Sequence, residues 1–311
     1  MADITGIHHV TAICGDAQEN LDFYTGVLGM RLVKRSVNQD DPKTYHLFYA
    51  DADGSPGTDL TFFPFRVSPN GKLGHGLGVE ISLAIPHDSV DYWTARLREH
   101  GVTIDASETR RGEQAIVFLD PHGQHLSLTA TRDPRQFTAW DRSPVPANKQ
   151  IVGLHAVRLW ERDLAQTATF LTTTLEFSYY GEEGGWHRYG VDGGGSGKHI
   201  DVRETPDIAR GEWGVGTMHH VAWRIPDDET ELRVRQRVLE AHRRPTEVID
   251  RFWFHSVYFL EPGGVLFEIA TDGPGFMTDE DHAHLGERLV LPPWLEEKRS
   301  EIQAGLAPLG D

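Results

Sequence analysis

Internal repetition constrains this chain more than any other feature, because a repeated unit that cannot bury its own apolar face has to stack against its copies. Gly6-Ile-His-His-Val10 returns as Gly153-Leu-His-Ala-Val157, and the helix-like Asn20-Leu-Asp-Phe-Tyr-Thr-Gly-Val-Leu-Gly29 returns as Thr169-Phe-Leu-Thr-Thr-Thr-Leu-Glu176. Both copies run into an aromatic or basic strand, 30–35 in one and 177–180 in the other. A second pair is clearer still: Phe118-Leu-Asp-Pro-His-Gly-Gln-His-Leu-Ser127 aligns without gaps against Phe259-Leu-Glu-Pro-Gly-Gly-Val-Leu-Phe-Glu268. Upstream of these lie strand patterns over 77–83 and 219–225, each followed by an amphipathic helix, 91–100 and 229–242, that stops near a Gly or Pro. The chain therefore reads as four βαβββ modules.

Length and punctuation turn the repeat into a fold. At 311 residues the chain fits two domains, and the Pro-rich, polar stretch 133–149 is the natural linker between them. We expect an α+β protein of two domains, each of paired βαβββ modules forming cupped, partly open mixed β-barrels. The domains would span 1–132 and 150–275, the first supplying His9 and the second His220 and Glu268. An extension over 276–311 would cover a partner or the other domain. The Gly-rich segments 181–185 and 192–198 read as hairpin loops, since a phosphate-binding loop would need Gly at 192 and Ser or Thr at 199, where Asp192 and His199 stand.

Composition excludes several functions. A formal charge of −17 argues against nucleic acid. No apolar run approaches the roughly 18 to 20 residues a membrane helix needs, so no membrane partner is expected. The chain enters a strand pattern at its start with no leader signature, and its single cysteine, Cys14, permits no internal disulfide. A cytoplasmic protein is expected, with Cys14 as a small buried hydrophobe. No serine nucleophile elbow is present. A homo-oligomer is compatible with the sequence.

Two histidine pairs, His8-His9 and His219-His220, occupy short alternating runs bounded by glycine, and Glu268 lies in a strand leaving a Pro-Gly-Gly turn. Side chains on a strand alternate between faces, so one histidine of each pair must point inward. Two imidazoles and one carboxylate form the facial ligand set, with open positions, of non-haem Fe(II) oxygenases. Without a cation, Glu268 would be a costly acid in an apolar strand.

These motifs resemble the vicinal-oxygen-chelate superfamily, which includes glyoxalase I, extradiol dioxygenases and fosfomycin-resistance proteins. Within it, His8-His-Val-Thr11, Met218-His-His-Val-Ala-Trp223, Arg251-Phe-Trp-Phe-His-Ser-Val-Tyr258, Phe267-Glu-Ile-Ala-Thr-Asp-Gly-Pro-Gly-Phe276 and Leu291-Pro-Pro-Trp-Leu-Glu-Glu297 are similar to the ring-cleaving hydroquinone dioxygenases. The resemblance implies His9, His220 and Glu268 as ligands of Fe(II), with Mn(II) as an alternative ion, and a small aromatic diol and O₂ as substrates. The repeat supports those positions, because Ala156, Val79 and Ser127 stand at the matching places in the other modules. Extradiol catechol enzymes draw both histidines from the carboxy-terminal pair. Glyoxalase I adds a second carboxylate, for which the strand Thr58-Asp-Leu-Thr-Phe-Phe-Pro64 offers no glutamate. An extradiol catechol dioxygenase and a non-catalytic small-molecule binding module are the alternatives.

Around the ligands, Arg251 and Tyr258 resemble a pair that acts beside the metal in that family. A two-residue hairpin would set Val257 opposite Glu268, so we expect one extra residue at the glycine turn to bring Tyr258 there. Thr11 shares the face of His9 and bonds either substrate oxygen or, as a buried threonine, the backbone. Strict alternation sends His8 and His219 to the opposite face; they either reach the site or pack between sheet and helix. His282 and His284, beside Asp279, Glu280 and Asp281, match no metal spacing and read as a solvated acidic turn.

Overall fold

The computed structural model describes residues 2–65 and 68–310. Four βαβββ modules follow one another. The first has β1 (Gly6–Cys14), α1 (Ala17–Leu21) running into a π-helical turn (Asp22–Val27), β2 (Arg31–Asn38), β3 (Asp41–Ala50) and β4 (Asp59–Pro64). The second has β5 (Leu77–Pro86), α2 (Val90–Glu99), β6 (Ile104–Arg110), β7 (Glu113–Leu119) and β8 (His125–Thr131). The third has β9 (Gly153–Glu161), α3 (Leu164–Thr169) with its own π-helical turn (Phe170–Thr174), β10 (Ser178–Glu183), β11 (Trp186–Gly190) and β12 (His199–Glu204). The fourth has β13 (Thr217–Ile225), α4 (Asp228–Glu240), β14 (Ile249–Asp250), β15 (Phe254–Leu260) and β16 (Leu266–Pro274).

The modules combine across the chain rather than along it. One eight-stranded sheet runs β14-β15-β16-β13-β1-β4-β3-β2, and the other runs β10-β11-β12-β9-β5-β8-β7-β6. The first module thus shares a sheet with the fourth, and the second with the third, joined by the antiparallel pairs β1–β13 and β5–β9. This corrects the expected division into 1–132 and 150–275. The Pro-rich stretch marks a break in composition, whereas the partner of a sheet edge is decided by which apolar inner strands meet. Residues 133–149 also do more than link. Arg135 donates to the carbonyl oxygens of Gly57 and Ser196, tying the first module to the third, and Val145 is buried.

Local chemistry explains the elements. Asp16, Asp163 and Asp227 cap α1, α3 and α4 by accepting from backbone N–H groups of the first turn, each cap contributing about 1 kcal/mol. Helix α2 turns Trp93 and Leu97 inward, and α4 turns Val234 and Val238 inward, the four-residue spacing of a single helix face. Central strands β1 and β4 are buried along their whole length, including the polar residues His8, His9, Thr11, Asp59 and Thr61. The two sheets approach closely where Gly78 on β5 meets Met218 on β13; a Cβ there would lie 2.2 Å from the Met218 sulfur.

After β16 the chain folds back on itself. Phe276, Leu285 and Val290 pack with Val33, Phe48 and Trp253, while Leu291, Leu295 and Ile302 pack with Val37. Lys34, fully buried, donates to the Phe276 carbonyl at 3.0 Å, to Asp279 at 2.7 Å and to Glu280 at 2.6 Å. The extension therefore covers the first module of its own chain. His282 and His284 pair with Asp53 and Glu287 at the surface. No helix among the described residues is long and apolar enough to cross a membrane.

Candidate functional site

The register between β1 and β13 slips once on each strand. Ile7 lies opposite Trp223 and His9 opposite Ala222, which leaves His8 as an extra residue; Thr11 lies opposite His220 and Ala12 opposite Met218, which leaves His219 as another. Each slip is a β-bulge, and a bulge re-aims the side chain it adds. Alternation alone would therefore misplace both residues. His8 comes beside His9 with 2.9 Å between their Nδ1 atoms, and His219 comes beside His220 with 2.8 Å between theirs. The His8 ring also packs on Phe254, and the His219 ring stacks on Trp213.

The ladder then lines up the three expected donors. Ala222 pairs with His9 on one side and with Glu268 on the other, and His220 shares a strand face with Ala222. His9 Nε2 lies 3.3 Å from His220 Nε2, and Glu268 Oε2 lies 2.9 Å from His220 Nε2 and 3.3 Å from His9 Nε2. All three residues are buried. Burial pushes the Glu268 carboxyl up, but His9 and His220 outweigh it and hold it well below its usual range. Ser256 donates to the other oxygen, Oε1, at 2.5 Å. Oε2 carries no aligned hydrogen bond despite its short approaches. Two ring nitrogens held from behind at Nδ1 and one free carboxylate oxygen, mutually within 4.8 Å, could hold a divalent cation.

Above these donors opens a small cavity of about 40 Å³ that is continuous with solvent. Aromatic rings of Phe48, Phe63, Trp253 and Phe254 form its walls, and His46, Arg251 and Tyr258 supply polar groups. Tyr258 pairs directly with Glu268 across β15–β16. The expected extra residue sits at the turn, where the Glu261 N–H donates to the Val265 carbonyl and Gly264 takes a φ of 110°. Arg251 is delivered by a tight loop in which Phe252 adopts a φ of 75°, held by its N–H donating to Asp250. A bulky residue at positive φ is a genuine departure, of the kind found where a side chain must be aimed. Arg251 Nε donates to the Tyr258 oxygen at 3.3 Å, and Nη2 donates to Asp40 at 3.0 Å. Burial and then the Glu268 charge push the Tyr258 hydroxyl well above its usual value, so it stays protonated at neutral pH.

Thr11 does not line the cavity. Its hydroxyl bonds the Thr61 hydroxyl at 2.7 Å, and Thr61 bonds His46 Nε2 at 2.9 Å. Burial keeps His46 neutral. Neither His46 nor Ser256 stood out in the sequence. Ser256 could have been found, since it lies two residues before Tyr258 and so on the same face of the same strand.

The second sheet shows what these positions become without the donors. Its β5–β9 pair carries the same two bulges, at Val79 and His155. The bulge places Val79 at the position of His219, so the residue equivalent to His220 is Glu80 rather than Val79. Setting Gly76 against Gly216 gives this equivalence without a gap, whereas carrying back the offset of the Phe118/Phe259 hairpins shifts it by one residue. Glu80 is bound by Arg110 in a bidentate pair at 2.5 and 3.0 Å and by Ser127, the counterpart of Glu268, at 2.7 Å. Arg158 and Arg188 in turn face Asp201. Ion pairs fill this cup.

Comparison with known proteins agrees with this architecture. The sequence model of the Glyoxalase/Bleomycin resistance protein/Dioxygenase superfamily matches residues 6–128 and 153–269. MhqO of Bacillus subtilis strain 168, named as a candidate ring-cleaving dioxygenase, is 42% identical over 303 residues, covering 97% of this chain and 96% of that protein. The chlorohydroquinone/hydroquinone 1,2-dioxygenase of Sphingobium indicum is 30% identical over 305 residues, covering 96% and 95%. A crystal structure of a candidate dioxygenase from Bacillus subtilis superposes with a TM-score of 0.93 at 40% identity, covering 100% of this chain and 99% of that one. With two matched halves and relatives aligned from end to end, the chain belongs to the glyoxalase, bleomycin-resistance and dioxygenase superfamily.

Proposed function

We propose that this protein is a non-haem Fe(II) dioxygenase that cleaves the ring of hydroquinone or a substituted hydroquinone with O₂. The observation that carries the proposal is the junction of His9, His220 and Glu268 at the floor of an aromatic-walled cavity. Relatives named as ring-cleaving dioxygenases along the whole chain support it. These three residues would hold the ion, which would lower the pKa of a bound substrate hydroxyl and bring O₂ beside the ring.

The chain's own residues account for the rest. Phe48, Phe63, Trp253 and Phe254 favour a flat ring and exclude water. His8 and His219 sit behind His9 and His220, fixing ring orientation through Nδ1 and leaving Nε2 to face the cavity floor. Ser256 holds Glu268 by one oxygen so that the other points at the histidines. The Tyr258 oxygen already accepts from Arg251, so its own proton is free to be donated into the cavity, to an oxygen gaining negative charge. The fixed charge of Arg251 stabilises the same oxygen. Such acid help is worth about 10²- to 10⁴-fold.

Protein purified without oxygen and loaded with Fe(II) should take up one O₂ per hydroquinone and yield a ring-opened product. Preference for catechol over hydroquinone would move the assignment to the extradiol class, and absence of O₂ uptake with every diol would remove the enzymatic reading.

A further inference from the structure

We propose that the fourth module carries a second divalent-cation site on its helix-covered side, formed by Asp228 and Glu231 in the first turn of α4 and by His255 on β15. Three residues apart on a helix, Asp228 and Glu231 share one face. His255 lies where the β15–β16 register shifts between Phe254 and Ser256, and one donor atom from each residue falls within 4.8 Å of the other two.

Glu231 is the residue that calls for a ligand. It is 0% exposed, and neither carboxylate oxygen has a hydrogen-bond partner. Neither protonation state relieves this: ionised, it is a buried charge without compensation, and protonated, it leaves a hydroxyl without an acceptor. The charged groups that act on it are His255, Asp228 and Glu268, two of them negative. A cation bound by all three side chains would satisfy both oxygens' demand and the local charge together.

The neighbouring groups suit that role. Asp227 is already committed to the helix cap through the Thr230 N–H at 2.8 Å, which leaves Asp228 and Glu231 for the ion. His255 Nδ1 faces Asp228 Oδ1 at 2.7 Å, while Nε2 faces Asp250 at 4.0 Å. In the metal-free protein a proton on His255 takes the cation's place beside Asp228, so binding would displace that proton. The positive end of the α4 dipole, about half a charge, opposes a cation there, but two carboxylates outweigh it. One nitrogen and two carboxylates suit Zn²⁺, Mn²⁺ or Fe²⁺ better than the all-oxygen preference of Ca²⁺. Asp228 is exposed and gives the ion a way in.

The two sites would sit back to back across one strand. Ser256, next to His255, points to the opposite face and holds Glu268. The second site does not depend on the reading of the first.

Equilibrium dialysis of the intact protein against Zn²⁺, with metal per chain measured afterwards, tests the proposal. Wild type should retain one equivalent more than Asp228→Asn, Glu231→Gln or His255→Ala. That difference is independent of what the cavity site and scattered surface histidines bind. Asp228→Asn changes only an exposed side chain, and Glu231→Gln removes a buried charge while keeping the shape, so both variants should fold. Equal zinc content in wild type and in both of these variants would overturn the site.

Discussion

Histidines 8 and 219 carry the most exposed part of the proposed mechanism, because their value rests on a single hydrogen bond each. If His220 binds a metal through Nε2, its Nδ1 must bear the proton, and the His219 Nδ1 atom 2.8 Å away must accept it. That requires a neutral His219. Burial, then the neighbouring His220, holds its pKa down to about 3, so the ring is uncharged at pH 7 and its lone pair is available. Losing an outer partner of this kind costs about 10- to 100-fold in metal affinity, or about 1.4 to 2.8 kcal/mol. His219→Leu removes the acceptor at similar volume. His219→Asn restores an acceptor oxygen near the Nδ1 position while losing the same stacking on Trp213 at 4.9 Å. Competition with a chromophoric chelator should show Fe(II) binding weakened by about 10- to 100-fold in the leucine variant, with most of that loss recovered in the asparagine variant. The same pair of changes at His8 should behave alike. Equal losses in leucine and asparagine variants, or none in either, would refute the hydrogen-bond argument and reduce these residues to packing.

Tyr258→Phe should lower O₂-dependent turnover by about 10²- to 10⁴-fold with metal content unchanged, measured by steady-state oxygen uptake and metal analysis on the same preparation; wild-type turnover would remove the tyrosine from the mechanism. Glu161 offers a test of stability against pH. It is fully buried, and burial followed by the charge of Glu261 raises its carboxyl to about 9. The folded protein therefore holds a proton that the unfolded chain releases near pH 4 to 5, so stability is complete below that range and falls as pH rises towards 9. Glu161→Gln, neutral throughout, should be more stable than wild type to denaturant unfolding at pH 8 by on the order of a few kcal/mol, with the gap closing at pH 5. The same gap at both pH values would contradict the assignment.

How much of this was legible in the sequence depended on which physical signal carried it. The four modules could be read because Gly-bounded strands and turn residues repeat at matching positions, and local patterning fixes local structure. His9, His220 and Glu268 could be named because an imidazole or carboxylate in an apolar strand needs a reason to be there. Pairing of the first module with the fourth could not be read, since the inner edges of all four modules are similarly apolar and no local residue selects a partner. The bulges at His8 and His219 were hidden for a related reason: alternation is a rule about a regular ladder, and a one-residue slip is set by the facing strand. Val79 was misplaced for a different reason, a one-residue difference in spacing between the strand and the hairpin of the two repeats. The register of Tyr258 was accessible because it depends on turn length, and Pro262-Gly263-Gly264 is a turn whose chemistry can be read directly.

The two cups together explain why only one of them has the donors to hold a cation. Their backbones share the same bulges and the same parallel neighbour, so geometry does not distinguish them; side chains do. In the first cup, two imidazoles and one carboxylate converge with an oxygen left without an aligned donor, which a divalent cation can compensate. In the second, Ala156 removes one donor, and Glu80 replaces an imidazole with a carboxylate that Arg110 and Ser127 satisfy completely. Burial works against the Glu80 charge, yet Arg110 outweighs it and holds its pKa below the usual value. A cation entering that cup would have to displace a buried guanidinium from a bidentate pair, and breaking such a pair costs about 3 to 5 kcal/mol. The duplicated fold thus uses one cup to create an unmet demand for positive charge and the other to meet the same demand from within the protein, at equivalent positions in the two sheets.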